Sequence, residues 1–372
     1  MDRSLLFLSI YILLLGLSCD RIFPPEVRDE YNLPSVYLEI DPDDLGILNS
    51  SIYSDRYVDA EFAYNDRESR VQLRNHGGLS RKFLKRSYRV KFDDPDLLEG
   101  KKAVVLSAQW TDKSLLRTRL SFELFRKAGL MTSENRFVSL YINNDYKGVY
   151  YLIEPVDEYF LANRDTQVGS LYKAFRGRAR FTFAGGFDVR VGFEKKPVDD
   201  GNYSDLEYLI NILDTVPADE LMSQIDAVLH TENYLDYLAV SVLIRNADGF
   251  FSNFHLHRET FGRFEIIPWD LDMTFRGSTW TIYGSNNLSK RLLEVDAYRT
   301  YYKNRLLELL ANEFSEQTMF ATIDSLSISI DQAYKNDPFL KAGGCSLEEE
   351  IRVLKSFVTL RRAYIQEQLG SF

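Results

Sequence analysis

One stretch, residues 246–275, constrains this chain more than any other: N-A-D-G-F-F-S-N-F-H-L-H-R-E-T-F-G-R-F-E-I-I-P-W-D-L-D-M-T-F. It sets a carboxylate at Asp248, a carboxamide at Asn253 and two further carboxylates at Asp270 and Asp272. Between them, runs 253–259 and 264–267 read as strands paired across the turn T-F-G-R, which places Asn253 and Asp270 at the two ends of one hairpin and close in space. Oxygen ligands gathered this way suit Mg²⁺ or Mn²⁺, which take carboxylate, amide and phosphate oxygens. Residues 232–245, capped by Thr231, have helical spacing. Asp248 therefore lies just past a helix end, where the backbone leaves helical geometry and can present a carboxylate into a cleft.

The whole chain allows such a cleft. Its 372 residues are 45% hydrophobic and 14% aromatic, enough for a large core as one two-lobed unit or two closely associated domains, and too apolar for a disordered chain. The net charge of −10 argues against nucleic acid as a partner. From Arg70 to Lys91 the cations Arg70, Arg74, Arg81, Lys82, Lys85, Arg86, Arg89 and Lys91 run without an acid, as a local basic face or a solvated strand surface. At the N-terminus, Arg3, an apolar run over 5–17 and small Ser18 precede Cys19. Residues 1–18 read as a signal peptide, and Cys19 as the lipidated first residue of an exported lipoprotein held at a membrane, in the periplasm or at the cell surface. Ordinary signal cleavage is the alternative. Residues 19–34, with three prolines and many charges, read as the tether. Lipidation of Cys19 leaves Cys345 without a disulfide partner, and the Cys and His residues have no zinc spacing.

In chain order, residues 35–153 read as a β-rich lobe with one helix, and 154–372 as a mainly helical lobe with an inserted β element near 166–203. Strands are expected at 36–40, 58–64, 71–74, 87–92 and 103–107. The loop H-G-G-L-S at 76–80 is either an ordinary hairpin turn or an anion cradle, with Gly77 freeing the backbone and Ser80, Arg81 and Lys85 adding donors. A helix over 112–128, capped by Thr111, carries Glu123, which either pairs with a strand lysine or faces solvent. Strands 138–142 and 149–153 flank N-N-D-Y-K-G, and the connector E-P-V-D at 154–157 leads to a short helix through Ala162. Within 166–203, runs 170–173 and 187–193 read as strands. Helices follow at 205–213, 218–229, 296–312, 316–335 and 347–369, with a loop over 277–289. His255 and His257 alternate on a strand and read as packing residues.

Asp248 and Asn253 stand five apart, as do the catalytic aspartate and metal-binding asparagine of protein kinases, in which a strand pair then leads to the magnesium aspartate. A glycine loop, lysine strand, helix, hairpin, connector and helix precede them in the kinase order. The blocks H-G-G-L-S-R-K-F-L-K-R-S-Y-R-V-K-F, L-Y-I-N-N-D-Y-K-G-V-Y-Y-L-I-E-P-V-D, N-A-D-G-F-F-S-N-F and I-P-W-D-L-D-M-T-F resemble those of the spore-coat protein H (CotH) kinase family, in its order and over roughly 70–300. That resemblance implies an α+β, atypical protein-kinase-like two-lobed fold. It also implies ATP with Mg²⁺ or Mn²⁺ as cofactors and transfer of phosphate to hydroxyl side chains of secreted or surface proteins.

By position, Asp248 matches the family's catalytic-loop aspartate, Asn253 its metal asparagine, and Asp270 with Asp272 its W-D-x-D motif, Asp270 as principal ligand. Lys85 matches the lysine of its K-K-S-Y block, with Arg86 in place of the second lysine and Leu84 in place of a frequent proline. N-H-G-G-L-S is a variant of its R-G-x-S loop. Lys85 and the loop from Gly77 to Ser80, with Arg81, would hold phosphates, Glu123 would pair with the lysine, and the connector beginning at Glu154 would meet adenine. Two other readings stay open: a surface binding or adhesin module on a kinase-like scaffold, and a metal-dependent hydrolase or carbohydrate-active enzyme using paired carboxylates.

Overall fold

The computed structural model describes residues 31–372. The expected signal peptide at 1–18 and the expected lipidation site at Cys19 lie outside the described residues. No helix among the described residues is long and apolar enough to cross a membrane.

Alternating strands build the N-terminal part. In order come β1 (Ser35–Glu39), α1 (Pro42–Ser50), β2 (Val58–Tyr64), β3 (Arg67–His76), β4 (Ser87–Phe92), β5 (Ala103–Ser107), α2 (Arg117–Lys127), β6 (Asn135–Ile142) and β7 (Asp145–Ile153). Kinase-like reasoning anticipates a β-rich lobe; the structure closes it into a seven-stranded barrel, β1-β2-β3-β4-β5-β7-β6, sealed by parallel pairing of β1 with β6. Asn143 finishes the seam: Ile40 N donates to its Oδ1 (2.8 Å) and its Nδ2 donates to Ile40 O (2.8 Å). Closure satisfies the edge strands that an open sheet would expose. Inward residues such as Phe62, Leu73, Val90, Phe92 and Leu140 fill the barrel. On β5 and β7 the outward residues Val105, Tyr151 and Ile153 are also buried, in a second core. These strands are apolar on both faces because one wall of the barrel is the floor of the helical part.

The remainder contains α3 (Glu158–Ala162), β8 (Ser170–Ala174), α4 (Val189–Gly192), β9 (Phe193–Lys196), α5 (Ser204–Thr215), α6 (Ala218–Ile225), α7 (Thr231–Leu243), β10 (Phe254–Arg258), β11 (Glu265–Pro268), α8 (Asn287–Leu293), α9 (Asp296–Ala311), α10 (Glu316–Asn336), α11 (Pro338–Ala342) and α12 (Leu347–Leu369). The β element anticipated at 166–203 is no separate addition. β8 pairs with β10, giving a four-stranded sheet β11-β10-β8-β9 that carries the aspartate hairpin. At 187–193 the expected strand is instead a helical turn capped by Asp188, and strand pairing begins at Phe193. α7 is buried nearly all round, with Tyr234, Leu238 and Val242 in the core, as befits a central helix.

Two helix starts differ from expectation for visible reasons. α2 begins at Arg117 because the Asp112 carboxylate accepts from Ser114 N (3.0 Å) and Arg117 N (2.9 Å), and Leu115 is left-handed at φ 58°. α7 begins at Thr231 with His230 in the N-cap position and no side-chain cap, because the Thr231 hydroxyl donates to Asp226 (2.6 Å). The loop expected over 277–289 ends early because the Asn286 side chain accepts from Ser289 N and starts α8.

The barrel is fastened to the C-terminal helices by a buried ion pair. Lys85, 3% exposed, donates to Asp337 Oδ2 (2.7 Å) and to Val149 O (2.6 Å). Asp337 also accepts from Val149 N (2.9 Å) and caps α11 through Phe339 N and Leu340 N. Gly148 leaves room for it, since a Cβ there would lie 2.1 Å from Asp337 Oδ2. Burial pulls the Lys85 ammonium below the usual lysine range, and the Asp337 carboxylate offsets part of that shift. Lys85→Met leaves a buried carboxylate without its cation, so urea denaturation should show a loss of about 3–5 kcal/mol.

Candidate active site

α7 ends in a Schellman turn: Asn246 N donates to Ser241 O (2.8 Å), Arg245 N donates to Val242 O (3.2 Å), and Arg245 is left-handed at φ 52°. Buried Arg361 of α12 reinforces this end by donating Nε and Nη2 to Val242 O (3.0 and 2.8 Å). The turn releases the chain into a single 3-10 turn, Asp248–Phe250, which leaves the Asp248 side chain exposed. Among the described residues its carboxylate has no hydrogen-bond or salt-bridge partner.

The hairpin β10–β11 returns the chain to the same place. Trp269 N donates to Asn253 O (3.0 Å) and Asn253 Nδ2 donates to Asp270 O (3.2 Å), leaving the amide oxygen of Asn253 available. Asn253 and Asp270 are both left-handed, at φ 61° and 53°, which is tolerable for Asn and Asp and uncommon for a pair facing each other across a hairpin mouth. Phe275, left-handed at φ 56°, then donates its N–H to Ile244 O (2.7 Å), tying the D-L-D-M-T loop to the end of α7. Such strain on an aromatic residue persists only where its surroundings enforce it. Two hydroxyl contacts complete the loop: Thr111 donates to Asp272, and Ser121 of α2 meets Thr274 at 2.9 Å.

The result is three carboxylates within electrostatic reach of one another. Asp270 is exposed at the hairpin mouth yet has protein packed around its carboxyl; desolvation by that protein first, then Asp272, then Asp248 push the carboxyl up to about 7, while Lys173 pulls it down. Burial also raises Asp272, against the Thr111 hydrogen bond, with Asp112 and Asp248 adding repulsion and Arg276 opposing it. One cation reaches this cluster directly, and others stand behind it. Lys173 on β8 lies near Asp270, and burial lowers its ammonium below the lysine range. Arg89 on β4 lies near Lys173 and 3.9 Å from Asp157, whose carboxyl burial pushes up to about 6. His76, at the end of β3, is held well below the usual histidine range by burial and by Lys173 and Arg89.

Of the residues singled out in the sequence, the structure brings together Asp248, Asn253, Asp270 and Asp272. Gly77 and Ser80 flank the loop beside His76, where Gly77 at φ 104° lies so close to Ser80 Oγ that a Cβ would be 2.2 Å away. The other side chains have partners of their own. Arg81 holds the loop through Gly77 O (2.6 Å) and Asp55 (2.6 Å). Lys85 is bound to Asp337, as described above. Glu123 pairs with Lys127 (3.2 Å) and not with a strand lysine, because it lies about 200° around α2 from the inward-facing Ser121. Glu154 is buried against Arg164 (3.1 and 2.7 Å) and accepts from Glu134 N (3.1 Å). Lys173, His76 and Thr111 are not among the site residues expected from the sequence, and Arg89 stands there only within a basic face. The outward alternation of Arg89 on β4 was a usable signal; Lys173 depended on the pairing of β8 with β10, and Thr111 on a contact with a residue far along the chain.

Among the described residues no three His, Cys, Asp or Glu side chains form a ready metal cage. Mg²⁺ does not require one, since it binds through one or two carboxylates with waters and substrate phosphates supplying the rest. The donors here fit that need: hard oxygens from Asn253, Asp270 and Asp272, in a cluster whose repulsion a cation would relieve. Without metal, this repulsion couples stability to pH. Asp270 keeps its proton to about 7 when folded and loses it near 3.9 when unfolded, so folding weakens as pH rises through that window. Asp270→Asn should therefore raise the melting temperature at about pH 8 and leave it unchanged below about pH 4; calorimetry across this range tests the sign.

The family model described as CotH kinase protein matches residues 73–365. The chain is 29% identical over 361 residues to the inner spore coat protein H of Bacillus subtilis (strain 168), covering 92% of this chain and 99% of that one. It is 23% identical over 294 residues to an inner spore coat protein H-like protein of the same organism, covering 77% and 86% of the two chains. A spore coat protein homolog 1 of Rhizopus delemar is 26% identical over 146 residues, 37% of this chain and 24% of that protein. The chain belongs to the CotH kinase protein family.

Proposed function

We propose that this protein is an ATP-dependent phosphotransferase that phosphorylates hydroxyl side chains of proteins in an extracellular or surface layer. The observation that carries this is the unpartnered Asp248 carboxylate beside the repelling pair Asp270 and Asp272, with Lys173 near Asp270 and with Arg89 and His76 near Lys173. The barrel and the helical part act as the two lobes of a kinase-like fold. Asp248 orients the acceptor hydroxyl and takes its proton as the acceptor oxygen bonds to the γ-phosphorus and the bond to the bridging oxygen breaks. Lys173 and Arg89 hold phosphate oxygens, and neutral His76 lends a hydrogen bond without adding charge. Asn253 and Asp270, assisted by Asp272, would hold Mg²⁺ or Mn²⁺, which supplies charge neutralisation for the phosphates.

Relatives named for the spore coat favour a protein acceptor in a surface layer. An N-terminal signal peptide with lipidation at Cys19 would place this chain there, attached to a membrane.

Incubation of the full chain with labelled ATP, Mg²⁺ or Mn²⁺ and a generic protein acceptor should give label transfer or self-labelling. Asp248→Asn should reduce the rate by about 10²–10⁴ with nucleotide binding retained, and Asp270→Asn should abolish metal-dependent turnover. Arg89→Gln should chiefly raise KM for ATP. Metal-dependent nucleotide binding without transfer would favour the binding scaffold instead, and absence of nucleotide binding with either metal would sink the assignment.

A further inference from the structure

A cavity of about 600 Å³ opens on the side of α2 turned away from the carboxylates. Arg119, Glu123 and Arg126 follow at helical spacing along this face, whereas Ser121 faces Thr274. Four arginines, Arg119, Arg126, Arg136 and Arg164, line it together with Glu123 and Glu134. Each of these carboxylates has its own lysine, Lys127 at 3.2 Å and Lys101 at 2.8 Å. Arg136 pairs with Glu99, and Arg164 with Glu154 at 2.7 Å. Arg119 donates only to the neutral Asn135, with its carbonyl oxygen at 2.6 Å. The Arg126 guanidinium has no hydrogen-bond or ion-pair partner among the described residues. Two positive charges thus stand unneutralised in a chain whose net charge is −10. On the same wall Ser133 is 2% exposed, and its hydroxyl has no partner.

We propose that this cavity binds a phosphomonoester. A phosphomonoester carries a charge of about −1.5 to −2 near neutrality, matching the two free guanidinium groups, whereas a single carboxylate would leave one unmatched. Guanidinium forks suit its oxygens, and the buried, unpartnered Ser133 hydroxyl on the same wall is a donor that the ligand would satisfy. The volume falls in the range of about 300–1,000 Å³ that holds small organic ligands, more than a bare ion fills. Leu130 and Met131 offer apolar wall to the carbon part of the ligand. Phosphorylated side chains and free phosphorylated metabolites share this chemistry. The site lies apart from Asp248 and stands whether or not the chain transfers phosphate.

The test is calorimetric titration of the full chain carrying Asp248→Asn, so that turnover cannot intervene. Probes are a phosphoserine tripeptide, the same tripeptide with glutamate in place of phosphoserine, and glycerol 3-phosphate. A phosphomonoester should bind, about tenfold more weakly in Arg126→Gln, which removes an exposed cation without disturbing the core. Ser133→Ala should weaken binding as well. Affinity should fall between about pH 7.5 and about pH 5.5 as the phosphate takes up its second proton. Tighter binding of the phosphopeptide assigns the source to a protein, and tighter binding of glycerol 3-phosphate to a metabolite. Equal binding of the glutamate peptide, affinity unchanged in Arg126→Gln, or no binding of either phosphomonoester overturns the proposal.

Discussion

Repulsion among Asp248, Asp270 and Asp272 is the constraint around which the rest of this molecule is arranged. Three carboxylates do not gather in a partly buried cleft unassisted, because burial and like charge both favour protonation and separation. Here the backbone compels them. A Schellman turn ends α7 just before Asp248, left-handed Asn253 and Asp270 close the hairpin mouth, and strained Phe275 is bonded to Ile244. Strain concentrated in this way marks a site whose geometry matters more than its local stability.

The two cores explain how that geometry is maintained. One wall of the barrel, through Val105, Tyr151 and Ile153, packs into the helical core, so the strands that present Arg89 and His76 are fixed relative to the sheet that presents Lys173. The Lys85–Asp337 pair fastens the barrel from the other direction, to the junction of α10 and α11. Arg361 acts inside the helical part. Its guanidinium, lowered to about 10 by burial, joins the carbonyl end of α7 to the loop at Ser278 (2.8 Å) and Trp280 (2.7 Å), immediately after the aspartate loop. A cation at a helix C-terminus is also favoured by the helix dipole.

Much of this was legible in the sequence, and the limits are physical. Strands 58–64, 87–92 and 103–107 and helix 347–369 have the expected bounds, because period and turn residues are local signals. Barrel closure was not legible: parallel pairing of β1 with β6 joins segments separated by most of the barrel, and no local pattern encodes it. The same applies to β8, whose place beside β10 turns an apparent insertion into half of the site sheet. Asp248, Asn253, Asp270 and Asp272 were readable because spacing and order carry them. The cationic partners were not, since a lysine in a strand looks the same whether it meets solvent or Asp270, as Lys173 does. Lys85 shows the converse: its position in a basic block suggested phosphate contact, while its ammonium is bonded to a carboxylate from the far C-terminal region.

The fold holds Asp270 in a repulsive setting, and the proposed metal role requires that a divalent cation relieve it. Carbon-13 NMR of aspartate carboxyls, assigned through Asp270→Asn and titrated with and without Mg²⁺ and a non-hydrolysable ATP analogue, measures this directly. Asp270 should titrate near 7 alone and move well down once metal and nucleotide are present. An ordinary carboxylate titration near 3.9, unmoved by metal and nucleotide, would contradict it.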